Sequence, residues 1–191
     1  MASTAYRRWI TTSATALDEI EQAHAFIGGT GPGRRYATQQ MNHAYAVLLA
    51  AQFQGFCRDL HNECGTHFAS VALPGLSQIL RSAFAFHRTL DRGNPNPGNL
   101  GSDFGRLGIE LWPSAKTADA RVTKWRIRLE ELNAWRNAIA HNDFDPVKLG
   151  GTIILRLERV RRWRRACRQL VRIFDEVMHR HLIVVTGTSP W

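Results

Sequence analysis

Three side chains that can handle a phosphate group lie within six residues of one another: Arg136, Asn137 and His141. Arginine stays charged in proteins, and its planar guanidinium can bind a phosphate through two hydrogen bonds. Histidine titrates near neutral pH, so it can take a proton from a hydroxyl or give one to a leaving oxygen. Asn137 can bind a phosphate oxygen or fix the tautomer of the histidine. Such a set suits cleavage of RNA by its own 2′-hydroxyl, which DNA lacks.

These residues are predicted to lie at the end of a helix. At about 100° per residue, one face of that helix is apolar. The residues on this face are Trp125, Leu129, Leu132, Trp135 and Ile139. We expect the helix to begin near residues 117–119 and to end between residues 141 and 145, because Pro146 disfavours helical geometry in the residue before it.

The relative placement of Arg136 and His141 restricts how they can act together. On an ideal helix they are separated by about 140° around the axis and by about 7.5 Å along it. Both can therefore reach one phosphate only if the helix end bends, or if a second copy of the chain supplies its own arginine and histidine.

A structural role could explain the same residues. Arg136 could form a buried ion pair with Asp143, which lies seven residues later on nearly the same face. The run His141, Asn142, Asp143 could simply cap the end of the helix, where a cationic histidine is favoured.

The motif also resembles a known one. The segment from Arg136 to His141 is similar to the Arg-x(4–6)-His motif of the HEPN superfamily. Asn137 follows the arginine directly, where the ribonucleases of that superfamily carry a polar residue. Residues 44–60 resemble the first core helix of the RiboL-PSP-HEPN branch. With the C-terminal helix, these segments span most of residues 36–182. The resemblance implies a helical bundle with Arg136, Asn137 and His141 as catalytic residues and Asn142 and Asp143 as supporting ones. It also implies a cleft formed by two facing copies, and hence a homodimer.

The predicted fold is all-α: a single HEPN-like bundle of about five helices, with one long loop rich in Gly, Pro and Asn. An N-terminal helix over residues 1–27 is expected to pack on a domain at 36–182, with the loop at 91–116 and a flexible tail at 183–191. Within the domain, helices are expected over residues 36–61 and 76–90, in the motif segment, and from about residue 152 onward. The glycine cluster at residues 28–33 is predicted to be a connector, since no Gly-Lys-Ser/Thr follows it and no strand precedes it.

Charge and cysteine content point to an intracellular protein that contacts polyanions. The 191 residues include 25 Lys and Arg against 16 Asp and Glu, giving a formal charge of +9, which favours polyanionic partners. Three cysteines, Cys57, Cys64 and Cys167, are too few for a disulfide scaffold and indicate a reducing compartment. We find no secretory signal and no membrane-spanning run, and expect a cytoplasmic protein without a membrane partner.

A second cluster, Cys57, His61, Cys64 and His67, contains residue types that bind zinc. A structural zinc site normally gathers ligands from two segments, and Gly65 is expected to interrupt the helix before His67. We therefore predict buried cysteines beside a polar histidine, and no metal or other cofactor.

The last helix combines a packing seam with many arginines. Eight arginines lie between residues 156 and 172, against the single acidic residue Glu158. They either form a solvated face or bind phosphate, and the latter is favoured because like charges without matching acids repel one another. The predicted RNA-binding residues are Arg156, Arg159, Arg162 and Arg165.

Three functions fit the sequence. The first is a metal-independent endoribonuclease that acts as a toxin or an anti-phage effector, with an antitoxin or another protein as its partner. The second is a non-catalytic HEPN module that binds RNA or a partner protein. The third is a sequence-tolerant nucleic-acid binder whose arginine helix is its whole active surface. The first predicts cleavage of single-stranded RNA in chelator that depends on His141, whereas the third predicts steep salt dependence and no effect of His141→Ala.

Overall fold

A computed structural model describes residues 1–27 and 34–191, with side chains from residue 38 onward in the second segment. Helix is the regular secondary structure of these residues, and they contain no strand, which confirms the all-α prediction for this part of the chain. The predicted connector at residues 28–33 lies outside the described residues. The helices are α1 (Thr4–Arg8), α2 (Ala14–Ile27), α3 (Arg34–Val71), α4 (Pro74–Ala85), α5 (Pro97–Gly105), α6 (Leu111–Ala118), α7 (Val122–His141) and α8 (Leu157–Thr186).

The centre of the molecule is formed by α3, α7 and α8. Each presents large side chains to the others: Phe53 from α3, Trp135 from α7, and Trp163 and Phe174 from α8 are buried. The rings of Trp135 and Trp163 lie 6.3 Å apart, and those of Phe53 and Phe174 lie 6.4 Å apart. The apolar seam of α8 predicts this arrangement, because residues three and four apart share one face of a helix.

The N-terminal segment packs on α3. A π-helical turn, Trp9–Ser13, joins α1 to α2, so that Thr4 to Ile27 run on as one helix. Trp9 is buried against Phe53 and Phe56, with ring centroids 6.2 Å away in each case. The first turn is held by Glu63, whose carboxylate accepts hydrogen bonds from the backbone N–H groups of Thr4 and Ala5.

The predicted loop at residues 91–116 instead contains two short helices, α5 and α6. Asn96 caps α5 by accepting a hydrogen bond from the N–H of Asn99, and Pro97 occupies the first turn, where a missing N–H costs nothing. Leu100 and Phe104 bury the inner face of α5. The loop prediction was therefore wrong, because its proline and asparagine start a helix. With these two additions the described residues form seven separate helices, and the expected number of about five is not confirmed.

Several helix boundaries also differ from those predicted. Helix α3 passes through Gly65 and ends at Val71, and Phe84 of α4 packs beside Gly65. The expected interruption at Gly65 is therefore wrong, because a glycine weakens a helix but need not end it. Helix α8 begins at Leu157, later than expected, because the preceding segment is pinned to α3 by a 2.8 Å hydrogen bond from the side chain of Asn42 to the carbonyl of Leu155.

The segment that was predicted to be a tail, residues 183–191, begins within the last helix. Helix α8 continues to Thr186, and Gly187 ends it with a left-handed backbone, φ 71°. The hydroxyl of Thr186 lies 3.0 Å from Nε2 of His67 on α3, and Trp191 packs against the core. These contacts hold the end of α8 and the residues after it against the rest of the domain.

The two longest helices, α3 and α8, both carry charged residues along their length. Across the described residues, no helix combines the length and the apolar character that crossing a membrane requires.

Candidate active site

The three predicted catalytic residues lie in the last turns of α7, where the helix emerges from the core. Trp135 is buried, whereas Arg136 is partly buried and Asn137 and His141 are exposed. The ring of Trp135 is packed 6.3 Å from that of Trp163 and fixes the rotation of the helix. Consequently, the neighbouring Arg136 and Asn137 are placed at the rim of the buried face.

The helix stays regular as far as His141 and then ends abruptly. Asn142 has a left-handed backbone, φ 51°, and its N–H bonds to the carbonyl of Ile139 at 3.4 Å. The N–H of Asp143 bonds to the carbonyl of Ala138 at 2.9 Å, which completes a Schellman-type ending. The two predicted supporting residues therefore cap the helix through their backbone. The ring of His141 forms no hydrogen bond with any described residue.

Arg136 has no carboxylate partner among the residues that the structure describes. The ion pair with Asp143 that a structural role requires is not formed there, and Asp143 is exposed. The guanidinium Nη1 of Arg136 lies 3.5 Å from Oδ1 of Asn137, a contact with a neutral group. No ion pair within the described residues neutralises its charge, so the guanidinium can take an anion as a ligand.

A fourth polar residue, Asn94, joins this group from a distant part of the sequence. Its side-chain amide donates a hydrogen bond to Oδ1 of Asn137. Asn94 lies in the turn before α5, in the segment where the sequence predicted a loop, and it was not among the predicted site residues. The density of Asn, Gly and Pro there indicates a turn but not which helix the turn touches.

Aromatic residues pack behind the motif. The ring of His43 stacks on Phe144 at 5.3 Å and lies 6.3 Å from Trp135. Burial lowers the pKa of His43, which favours the neutral imidazole. The guanidinium of Arg159 lies over two indoles, 5.5 Å from Trp135 and 5.8 Å from Trp163, so this predicted RNA-binding residue adjoins the end of α7.

The expectation that the arginines of α8 lack matching acids is wrong, because other helices supply them. Arg164 lies 2.6 Å from Asp18 and 3.5 Å from Glu21. Arg161 also pairs with Glu21, at 2.6 Å. Burial opposes ionisation of Glu21, but hydrogen bonds from Tyr45 and Arg161 outweigh this and lower its pKa. These acids are far from α8 in the sequence, so the local charge count could not reveal them.

The four predicted RNA-binding arginines do not form one surface. Arg159, Arg162 and Arg165 are three residues apart, and each step rotates the side chain by about 60° around the helix. Arg159 therefore faces α7, whereas Arg165 lines a groove against the N-terminal helix. Arg162 is exposed and lies 3.8 Å from Glu158. Arg156 and Arg165 are exposed and form no ion pair within residues 1–27 and 34–191.

The cysteine–histidine cluster is part of the packing around α3. Cys57 and Cys64 are buried, and burial raises the pKa of both thiols. Nε2 of His61 lies 3.0 Å from the carbonyl oxygen of Asp103. Within the described part of the chain, no three His, Cys, Asp or Glu side chains are grouped so that they could hold a metal ion.

The fold and the site together define an all-helical domain with an arginine–histidine pair at the end of a core helix. Comparison of the chain with models of protein families, with characterised proteins and with solved structures gives no match. The similarity to HEPN proteins therefore rests on residues 44–60 and on the motif at residues 136–141.

Proposed function

We propose that this protein is a metal-independent endoribonuclease of the HEPN type. The observation that carries the proposal is the state of Arg136, a partly buried guanidinium without a carboxylate partner in the described residues, five residues before the exposed His141 on the same helix. A guanidinium cannot lose its charge, so its removal from water favours the binding of an anion. The phosphodiester of RNA is such an anion, and it brings its own nucleophile.

In the proposed reaction, the 2′-oxygen attacks the adjacent phosphorus and the 5′-oxygen of the next nucleotide leaves. An imidazole of His141 takes the proton of the 2′-hydroxyl, and a protonated imidazole gives one to the 5′-oxygen. Arg136 binds the nonbridging oxygens and offsets the negative charge that grows on them. The products are a 2′,3′-cyclic phosphate and a 5′-hydroxyl, and the proton count balances.

The geometry of α7 supports a site made by two copies of the chain. The helix stays regular through His141, so the bend that would bring Arg136 and His141 together within one chain is not observed. Facing copies of α7 in a homodimer would supply two imidazoles, one to act as base and one as acid. The resemblance to HEPN proteins favours the same arrangement, and with it a role as a toxin or an anti-phage effector, in the cytoplasm and restrained by an antitoxin or another protein.

A second candidate function is RNA or protein binding without cleavage. It is favoured by Arg156 and Arg165, which are exposed and free of ion pairs with described residues and can therefore contact phosphates.

Incubation of labelled single-stranded RNA with the purified protein in excess chelator separates the two candidates. The ribonuclease is expected to cleave the RNA at a rate that chelator does not change, and His141→Ala is expected to bind RNA without cleaving it. Wild-type protein that binds RNA and never cleaves it would contradict the ribonuclease and support the binding module.

A further inference from the structure

In the side-chain amide of Asn137, the oxygen has partners and the NH₂ group has none among the described residues. Its Oδ1 accepts the hydrogen bond from Asn94 and also lies 3.5 Å from Nη1 of Arg136. Its Nδ2 has no hydrogen-bond partner in the described residues, and the side chain is exposed. An asparagine amide offers one acceptor oxygen and two N–H donors. The side of Asn137 that faces outward is therefore the donor side.

Asn94 is held in a turn that three helices fix in place. Gln54 of α3 donates to the carbonyls of Leu90 and Gly93, at 2.6 Å and 2.9 Å. Asn99 of α5 donates to the carbonyl of Asn94 itself at 2.7 Å. The turn is thus braced on both sides of Asn94.

The third brace comes from α7. Asn133, one turn before Asn137, donates to the carbonyl of Pro95 at 3.2 Å, and both Asn133 and Pro95 are buried. The turn that carries Asn94 and the helix that carries Asn137 are therefore fixed to each other next to the contact between the two asparagines.

The contacts with Asn94 and Arg136 together select one of the two orientations of the Asn137 amide. If the Asn137 amide alone were turned, its NH₂ group would face the NH₂ group of Asn94 and the guanidinium of Arg136. If both amides were turned, Asn94 would accept from Asn137, but the NH₂ group of Asn137 would still face the guanidinium of Arg136. An exposed asparagine without such neighbours can adopt both orientations. With Asn94 in place, the donors of Asn137 point outward beside those of Arg136, where they suit a phosphate oxygen.

We infer that Asn94 is a positioning residue of the proposed ribonuclease site, which orients Asn137 so that its amide donates to a nonbridging oxygen of the RNA phosphate. This inference rests on the proposed function and refines it, because it assigns Asn137 to the phosphate and not to the tautomer of His141. Asn94 acts through Asn137 and does not itself contact the scissile bond.

A double-mutant cycle tests this dependence. Single-turnover cleavage of RNA is measured for wild type, Asn94→Ala, Asn137→Ala and the double variant. We expect Asn137→Ala to lower the rate by about 100-fold, as loss of one transition-state donor does, and Asn94→Ala to lower it by about tenfold. The double variant should be no slower than Asn137→Ala alone. The inference would be overturned if the rate reductions of the two single variants multiplied in the double variant, or if Asn94→Ala cleaved at the wild-type rate.

A charge-reversing variant gives a second, sharper outcome. Asn94→Asp replaces the donor with a carboxylate, which attracts the NH₂ group of Asn137 and the guanidinium of Arg136. We expect cleavage to fall further than in Asn94→Ala. Cleavage at or above the rate of Asn94→Ala would count against the proposed orientation. The matched control is Ser102→Ala on the exposed side of α5, for which wild-type cleavage is expected.

Failure of the inference can be told apart from failure of the proposed function by a readout that needs no activity. The side-chain amide resonances of Asn137, assigned by their loss in Asn137→Asp, are expected to shift in Asn94→Ala and not in Ser102→Ala. Unchanged resonances in Asn94→Ala overturn the inference whether or not the protein cleaves RNA. Shifted resonances in a protein that cleaves no RNA support the Asn94–Asn137 contact and refute the ribonuclease.

Discussion

Two arginine–histidine pairs within the described part of the chain have surroundings that differ sharply. In the first, the side chain of Arg88 is 7% exposed and lies 2.7 Å from Asp91, and its Nη1 lies 3.4 Å from Nδ1 of His61. In the second, Arg136 is only partly buried, His141 is exposed, and neither has a carboxylate partner among the described residues.

The difference shows that residue types alone do not make a site. The buried pair has its charge and its hydrogen bonds satisfied within the chain: Nη1 of Arg88 donates to Asn62 at 2.7 Å, and His61 bonds to the carbonyl of Asp103. Such a pair fastens the segment before α5 to α3. The pair on α7 lacks these partners, so its free groups are available to a ligand. The predictions for these two pairs assign the buried pair to stability and the pair on α7 to activity.

The largest expected effect is that of His141→Ala on cleavage. Loss of the proposed general acid and base should lower the single-turnover rate by about 10²–10⁴-fold. The free energy of unfolding should change by less than about 0.5 kcal/mol, because the ring is exposed. Urea titration and a cleavage time course on the same preparation check both values. Wild-type cleavage by this variant would remove His141 from the site.

Arg136→Ala should lower cleavage by about 10²–10³-fold, because one preorganised group that stabilises the transition state is lost. Arg136→Lys should restore the charge but little of the rate, since an ammonium cannot bind a phosphate through two parallel hydrogen bonds. Rates under single-turnover conditions measure both. Equal rates for Arg136→Lys and wild type would show that charge alone is needed.

The corresponding change in the buried pair should act on stability. Arg88→Ala removes the hydrogen bonds to Asp91 and Asn62, and we expect a loss of about 2 kcal/mol in the free energy of unfolding, since both acceptors can then bond to water. Cleavage per folded molecule should match wild type at a temperature where the variant is folded. A stable Arg88→Ala variant with reduced cleavage would reverse the assignment of the two pairs.

Acid should weaken the fold through His61. Burial, reinforced by the charge of Arg88, lowers its pKa from 6.5 to about 4. Between these values the unfolded chain binds a proton that the folded chain does not, so stability is complete above pH 6.5 and falls as the pH drops toward 4. The loss amounts to about 3 kcal/mol in all. Urea unfolding at pH 7.5 and pH 5 should show about 2 kcal/mol of this loss, because at pH 5 the pH is still above the folded pKa, and His61→Gln should reduce it. A stability independent of pH in this range would contradict the buried, neutral imidazole.

The smallest expected effect is that of Arg159→Ala. Loss of the contacts with Trp135 and Trp163 should cost about 1 kcal/mol of stability. Because Arg159 adjoins α7, RNA affinity should also fall, and the slope of log affinity against log salt should decrease by about one. Arg165→Ala on the opposite side of α8 provides the comparison. An equal effect of Arg165→Ala on RNA affinity and on the salt slope would show that the RNA extends around the helix.

Local periodicity predicted the elements that position the motif. Trp135 and its apolar neighbours three and four residues apart predicted α7, and the seam through Trp163 predicted α8. It did not predict α5 and α6, because Leu100 and Phe104 are embedded among residues typical of turns.

The tertiary partners of the site could not be predicted. Asn94 reaches Asn137 from 43 positions earlier in the chain, and Asp18 reaches Arg164 from 146 positions earlier. Such contacts depend on how helices pack, which a pattern within one segment does not encode. Composition and spacing therefore led to the hypothesis of a phosphate-binding motif. The structure adds which arginines already form ion pairs with carboxylates of other helices.

The chemical ends of the RNA product test the central claim most directly. Wild-type protein is incubated in chelator with single-stranded RNA, and with the same RNA carrying a 2′-deoxy substitution at the cleaved step. Attack by the 2′-hydroxyl predicts a 2′,3′-cyclic phosphate and a 5′-hydroxyl, no cleavage at the substituted step, and no product with His141→Ala. A 3′-hydroxyl end, cleavage at the 2′-deoxy step, or undiminished product with His141→Ala would contradict a site built from Arg136 and His141.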